Sequence, residues 1–329
     1  MAEGCVRLKE ILAPIRSDLD AFEKEFKSIL KSDIFLIDKV VSYLVSNRGK
    51  RLRPILVLLV SRLGGQEPSQ KRLQAAAIIE LLHTATLVHD DVVDDSYRRR
   101  GFPSVNSIWK NKISILIGDY LFSKSLLSML SLQDFAVFEI ISRTAERMSQ
   151  GELLQMERSK DFWMEEDIYF RMIGDKTASL ITAACQLGIV TADARGEEFE
   201  MMGKFGENIG LAFQIRDDLL DLLGREKKTG KPIGNDLREN KITLPLLHAL
   251  KKAERREARR IIRLVKNGAK DKDIEEIIRF IEENGGVAYA HERAQRLTSE
   301  AIGMLSYYPD STYKDVLIKL VQFITMREH

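Results

Sequence analysis

Four aspartates fall within six residues, Asp90, Asp91, Asp94 and Asp95, and three arginines, Arg98, Arg99 and Arg100, follow at once. On a helix, residues i, i+3 and i+4 share a face, so Asp90 and Asp94 lie together with Asp91 and Asp95 beside them. Carboxylates so crowded repel one another unless positive charge sits between them. The residues upstream are mostly apolar, so the charge stands at the end of a largely buried helix, residues 70–95. A chain built this way must bring cations to that helix end.

The rest of the sequence supplies helices to surround it. Apolar residues recur at helical spacing over 5–30, 34–46, 55–63, 112–132, 134–158, 165–190 and 196–223, and helical patterns separated by short turns fill 244–329. Pro14 marks a break or a first turn in the first of these. The basic turn NRGKRLRP (47–54), the turn GGQEPS, the loop RRRGFPS and the Gly- and Lys-rich loop 224–241 separate them. Alternating strand patterns are nearly absent. The expected fold is all-α, a large helical bundle around a central cavity, in one domain over 1–329, since no Pro/Ser-rich linker divides the chain.

Composition narrows the surroundings. The 329 residues are 44% hydrophobic and 30% charged, and the net charge of +2 gives no general argument for nucleic acid. Two cysteines far apart, Cys5 and Cys185, exclude a disulfide framework and point to a reducing compartment. No uncharged apolar run approaches the ~20 residues that span a bilayer, and the first residues carry no cleavage signature. A cytoplasmic protein with at most peripheral membrane contact is expected.

The D-D-x-x-D spacing occurs twice. Asp217, Asp218 and Asp221 repeat Asp90, Asp91 and Asp94, again at the end of an apolar helix. Carboxylate oxygens suit Mg²⁺, which keeps part of its water and shares its remaining positions with substrate phosphates. A single such cluster is as readily a solvated helix end; two facing each other would hold several Mg²⁺ ions, with three expected, around one diphosphate. Cations are spaced to complete the site: Lys50, Arg51 and Arg53 in a turn, Arg99 and Arg100 after the first cluster, Lys176, Lys231 and Lys241 near helix ends or in the Gly-rich loop. Arg grips phosphate oxygens as a planar fork and Lys as a point charge. His83 lies two helical turns before Asp90 on the same face. The pattern suggests two diphosphate positions, one reached through metal and one by cations directly.

These stretches resemble the trans-prenyltransferases, the head-to-tail isoprenyl diphosphate synthases. The likeness runs from about residue 45 to the end through GKRLRP (49–54), HTATLVHDDVVDDSYRRRGFPS (83–104), GDYLF (118–122), GE (151–152), KTASL (176–180), FQIRDDLLDLLG (213–224), GKPIGNDL (230–237) and KITLP (241–245). Arg98, Phe102 and Ser104 depart from the usual residues at their positions, none of them a metal or diphosphate position. The resemblance implies that Asp90, Asp91, Asp94, Asp217, Asp218 and Asp221 hold metal and the allylic diphosphate. Arg99, Lys176 and Lys231 would add positive charge, Gln214 would contribute a hydrogen bond, and Thr177 would steady the cation through dipoles. Isopentenyl diphosphate would sit against Lys50, Arg53, His83 and Arg100, with Lys241 nearby. The departing pyrophosphate would accept the proton, and two chains would form a homodimer through apolar helices such as 112–132.

Product length is then a question of packing. The growing chain would run beside the helix that carries Asp90, with Ala85 and Thr86 as its first wall; a bulky aromatic stands at one of these in short-chain members of the family. Both are small here, with Leu82 or Phe138 as candidate floors. A tunnel along a 20-residue helix is ~30 Å deep and an isoprene unit takes about 5 Å, which allows roughly C30 to C45. Four rivals remain at this stage: a short-chain synthase, a terpene cyclase, a non-catalytic partner subunit and a calcium-binding module. The cyclase needs no second diphosphate site, a lost-function subunit would be expected to lack one cluster, and neither cluster has a calcium-loop pattern.

Overall fold

The computed structural model describes residues 8–47, 49–65, 69–99, 101–158, 161–223 and 234–325, and nearly all of them that are ordered into elements are helical. A short 3₁₀ turn at Ala13–Ile15 contains Pro14, whose missing N–H and fixed φ interrupt the first helical pattern. It leads into α1 (Arg16–Leu30), followed by α2 (Phe35–Ser46), α3 (Leu52–Val60) and α4 (Gln70–Val93). A two-residue hairpin, β1 (Arg98–Arg99) and β2 (Phe102–Pro103), leads to α5 (Val105–Leu132) and α6 (Phe135–Arg158). Then come α7 (Glu166–Ile173), a π-helical turn (Gly174–Ala178), α8 (Ser179–Thr191) and α9 (Glu197–Leu223). The short α10 (Asn235–Arg238), α11 (Leu244–Lys252), α12 (Arg255–Lys266), α13 (Asp271–Glu283), α14 (Gly286–Met304) and α15 (Thr312–Thr325) complete the chain.

α4 is the axis of the bundle. Ala75 to Ile79 have no exposed surface, because α1, α3, α5 and α8 pack around them. A helix apolar on nearly every side has to be central. α9 is its counterpart. Its first half, with Met202, Phe205 and Ile209, belongs to the apolar cluster built on α4. Its second half, with Ile215, Leu219 and Leu222, belongs to a second cluster formed with α11 to α14. Gly210 allows α9 to lie against the π turn: a Cβ there would meet Ala178 at 2.5 Å.

Several boundaries differ from the sequence expectation for local reasons. The helix expected over 55–63 starts at Leu52 and ends at Val60, since Pro54 is tolerated in a first turn. The pattern 165–190 is continuous in its apolar face but is divided by the π turn. The helix expected from 112 begins at Val105, with a break at Lys110 (φ 72, ψ 161). The 98–104 loop closes as the hairpin, fastened by Tyr43 Oη, which donates to the Pro103 carbonyl at 2.6 Å.

Candidate active site

The first aspartate cluster is formed by the end of α4. Asp94 caps the helix, its N–H donating to the Asp90 carbonyl at 2.8 Å. Asp95 adopts a left-handed φ of 47°, a conformation that Asp tolerates better than most residues and that turns the chain out of the helix. Carboxylates at a helix C-terminus face the negative end of its dipole, so this cluster is unfavourable until cations arrive. Arg99, at the start of the hairpin, supplies one: its Nε donates to Asp91 Oδ1 at 2.7 Å. Asp91 is buried, Asp90 half-buried and Asp94 exposed.

Opposite stands Lys176, in the π turn, paired at 2.6 Å with Glu152 of α6. Asp90 responds to this whole group. Burial, then Glu152, push its carboxyl up to about 6, against the pull of Lys176 and Arg99, while Asp94 adds a smaller push. The shift is thus first an effect of burial, to which the neighbouring carboxylates add. Gly151 makes the arrangement sterically possible, because a Cβ at that position would lie 2.5 Å from the Lys176 backbone nitrogen.

The π turn is fixed by a charged clasp. Arg147 of α6 donates through Nε to Asp175 at 2.7 Å and through Nη2 to Glu207 of α9 at 3.1 Å. Thr182 of α8 donates to the other Glu207 oxygen at 2.9 Å. Four elements are therefore held in register at the residues flanking Lys176 and Thr177.

The second cluster, at the end of α9, is built differently. Asp218 is buried and accepts hydrogen bonds from Tyr169 Oη at 2.7 Å and Gln214 Nε2 at 2.8 Å. Gln214 in turn accepts from Thr177 Oγ1 at 2.9 Å. Burial, then the nearby Asp236 charge, raise the Asp218 carboxyl to about 7, although the two hydrogen bonds oppose the shift. Asp221 accepts from the Asp236 N–H at 2.9 Å, which ties the chain after Gly234 back to α9. Asp217 is exposed. Lys241 lies 2.7 Å from Glu239 and 3.7 Å from Asp236. Burial pulls its ammonium pKa down, but Glu239, Asp236 and, across the site, Asp94 together hold it above the usual lysine value. Its ion pairs are thus with Asp236 and Glu239, and the charge of Asp94 reaches it more weakly. Lys176, Thr177, Gln214, Asp218 and Lys241 line a common cavity of about 150 Å³.

The basic turn before α3 divides its side chains. Arg51 takes a left-handed φ of 55°, and the two neighbouring side chains diverge. Lys50 lies over the Phe323 ring at 5.2 Å, while Arg51 donates to Glu80 at 2.6 Å and stacks on Phe26 at 4.4 Å. Arg53 is half-buried in the first turn of α3. His83 is buried and shares a cavity of about 80 Å³ with Arg51, Glu80, Asp91 and Arg99. Arg100 and Lys231 lie outside the described residues.

Ala85 and Leu82 are buried at 1% exposure each. They belong to the stripe Ile78–Leu82–Ala85–His89 that faces α5, where His89 meets the Ile115 carbonyl and Ser125 reaches the Ile78 carbonyl. Thr86 is half-buried, one turn below Asp90 on the same face, and its hydroxyl is taken up by the His83 carbonyl of its own helix. Phe138 is 42% exposed, so it stands at the surface of this chain. Sequence reasoning assigned no role to Glu152, Tyr169, Asp236, Glu80 or the Arg147 clasp. Only the Gly-Glu pair at 151–152 and the GKPIGNDL stretch, which contains Asp236, gave a sign of any of them.

Among the described residues no three carboxylate, imidazole or thiol groups already converge as a finished metal cage. The donors that are present, carboxylates clustered at two helix ends, are those a hard divalent cation prefers.

Comparison with known proteins agrees with this geometry. A polyprenyl synthetase family model matches residues 35–281. The chain is 35% identical over 314 residues to an all-trans-nonaprenyl-diphosphate synthase (geranyl-diphosphate specific) of Rhodobacter capsulatus, covering 95% of this chain and 96% of that protein. It is 36% identical over 299 residues to an octaprenyl diphosphate synthase of Escherichia coli, covering 91% and 92%. The crystal structure of a polyprenyl synthase from Caulobacter crescentus complexed with calcium and isoprenyl diphosphate superposes with a TM-score of 0.90 at 32% identity, over 98% of both chains.

Proposed function

The chain belongs to the polyprenyl synthetase family, as a trans-prenyl diphosphate synthase, and from that premise we propose that it condenses isopentenyl diphosphate head to tail with an allylic diphosphate, using Mg²⁺, to a product of roughly C30 to C45. The observation that carries this reading is the pair of aspartate clusters ending α4 and α9, with Asp218, Lys176 and Lys241 lining one cavity and Lys176 paired with Glu152 near Asp90.

The residues divide the work by their surroundings. Asp90 and Asp94 on one side, Asp217 and Asp221 on the other, would hold the metal. Asp91 and Asp218, buried and engaged by Arg99 and by Tyr169 with Gln214, keep the two helix ends in shape. Bound Mg²⁺ would stabilise charge on the leaving diphosphate. Lys176 and Arg99 add fixed positive charge where that diphosphate charge grows, with Lys231 completing the group by resemblance, and preorganised charge in a water-poor site is worth more than in water. The Thr177–Gln214 pair lies beside the same position and orients the carbon end. Lys50, Arg53 and His83, with Arg100, receive isopentenyl diphosphate. No side chain is assigned as base; the pyrophosphate released takes the proton.

The apolar outer face of α5 and the start of α6, with Ile115, Leu116, Leu127, Leu130 and Phe135 exposed, supports association of two chains. Single exposed apolar residues are ordinary, whereas five along one helix and the start of the next would serve as a docking surface. α5 is also the one described helix long and apolar enough to cross a membrane.

The test is incubation of the purified chain alone with Mg²⁺, isopentenyl diphosphate and farnesyl diphosphate, with and without chelator, followed by mass analysis. The reading predicts a chelator-sensitive series of longer prenyl diphosphates. A hydrocarbon formed without isopentenyl diphosphate would instead make the chain a cyclase. Inactivity of the folded chain alone would make it a subunit that needs a partner.

A further inference from the structure

The basic run at the start of the C-terminal quarter plays no part in the site described above. Between Lys251 and Lys272 ten lysines and arginines stand against three acidic residues, a local charge of +7 in a chain whose total is +2. The structure sorts this charge onto one surface. In α12, Ala258, Ile261, Ile262 and Val265 are buried in the second apolar cluster. Arg255, Arg256, Arg259, Arg260, Arg263 and Lys266 are exposed on the other side.

Little of it is neutralised within the chain. Arg260 pairs with Glu257 and with Glu276 of the adjoining α13. Among the described residues no carboxylate comes within ion-pair distance of Arg255, Arg256, Arg259 or Arg263. Arg263 Nε is directed to the Arg259 carbonyl of its own helix. The other acidic residues of α13 near its start are Asp271, which is taken by Arg238, and Asp273, which caps its own helix.

We infer that this face of α12 docks the enzyme on an anionic lipid surface, by charge and without insertion. Insertion is excluded because every large apolar side chain of the helix already faces the protein core or is half-covered, which leaves no apolar face to enter a bilayer. A second copy of the chain would be repelled by its own charge. Single-stranded nucleic acid is disfavoured because no aromatic residue occurs in 251–272 on which a base could stack. The choice of lipid also rests on the proposed product, a long apolar chain with a charged head, whose natural destination is a bilayer. Cations near such a surface act additively and are screened by salt over about 8–10 Å.

The experiment is co-sedimentation of the full chain, without substrates, with phosphatidylcholine vesicles that do or do not contain phosphatidylglycerol, at low and high salt. Binding is expected only to the anionic vesicles and is expected to fall at high salt. The triple variant Arg256→Gln, Arg259→Gln, Arg263→Gln should lose about a hundredfold in partition, with an unchanged helical spectrum and unchanged synthase activity on soluble substrates. Equal binding by the variant, equal binding to the uncharged vesicles, or tighter binding to duplex DNA or RNA than to the anionic vesicles would each overturn the inference. Because the vesicle arm contains no substrate, failure of the synthase reading would appear in the activity arm alone.

Discussion

Thr86→Phe should shorten the product, and the geometry says by how much. Thr86 precedes Asp90 by four residues, so it lies about 6 Å below it along the helix and on the same face. An isoprene unit occupies about 5 Å, which leaves room for one unit between the carboxylate and a new aromatic wall. Growth should then stop within about one unit of the acid cluster, several units short of the parent product. Forcing a further unit against the ring is overpacking, which costs ~1–3 kcal/mol. If it is felt in the transition state, that slows each later elongation by about 5- to 150-fold. The substitution should be tolerated, since Thr86 is half-buried and its hydroxyl bonds only its own helix. Ala85→Phe is the control. Ala85 is 1% exposed on the stripe against α5, where a ring has no room, so this change should lower the melting temperature more than it alters product length. The assay is mass analysis of products together with thermal unfolding of both variants. A Thr86→Phe enzyme with the parent product length would refute the placement of the tunnel. If only Ala85→Phe shortened the product, the chain would grow along the α5 side instead.

Other perturbations test the rest of the site. Asp218 titrates near 7 when folded against 3.8 in an ordinary carboxyl, so its contribution to stability is complete below about pH 4 and is lost as pH rises through 7. In chelator, Asp218→Asn should therefore be more stable than the parent at pH 8, by a few kcal/mol at most, and no more stable at pH 4; a parallel pH dependence of the two melting curves would disprove the assignment. Arg147→Met should raise KM for the allylic substrate, leave KM for isopentenyl diphosphate nearly unchanged, and cost ~1–3 kcal/mol of stability by leaving Asp175 and Glu207 underpartnered. Equal effects on both KM values would argue against a clasp specific to the π turn. Gly151→Ala drives a methyl to 2.5 Å from the Lys176 nitrogen and should cut turnover more than tenfold with helix content preserved; full activity would mean that the π turn yields without consequence.

The parts of this site that could be read in the sequence are those written as charge. The two D-D-x-x-D spacings, Lys176 and Lys241 are local patterns, and a helical period carries them to helix ends without knowledge of the fold. What could not be read is how a pair of equivalent aspartates divides. Asp217 and Asp218 are adjacent, yet one is exposed and the other is buried against Tyr169, 49 residues away. No spacing rule predicts that bond. The Arg147–Asp175–Glu207 clasp joins residues 28 and 60 apart, and each looks like an ordinary surface charge on its own helix. Ala85 and Thr86 present the same limit: both are small, and only the packing of α5 against the Ala85 stripe separates the wall from the seam. The π turn was hidden because its apolar face continues the period of α7 into α8. The hairpin at 98–103 was hidden because two residues per strand leave no alternation to detect.

The central claim is that both aspartate clusters act on one diphosphate, and Asp90→Ala beside Asp217→Ala tests it most directly. Turnover should fall by orders of magnitude in each, with far-ultraviolet circular dichroism unchanged because both side chains lie at helix ends outside the apolar clusters. Near-normal turnover in either folded variant would contradict the account.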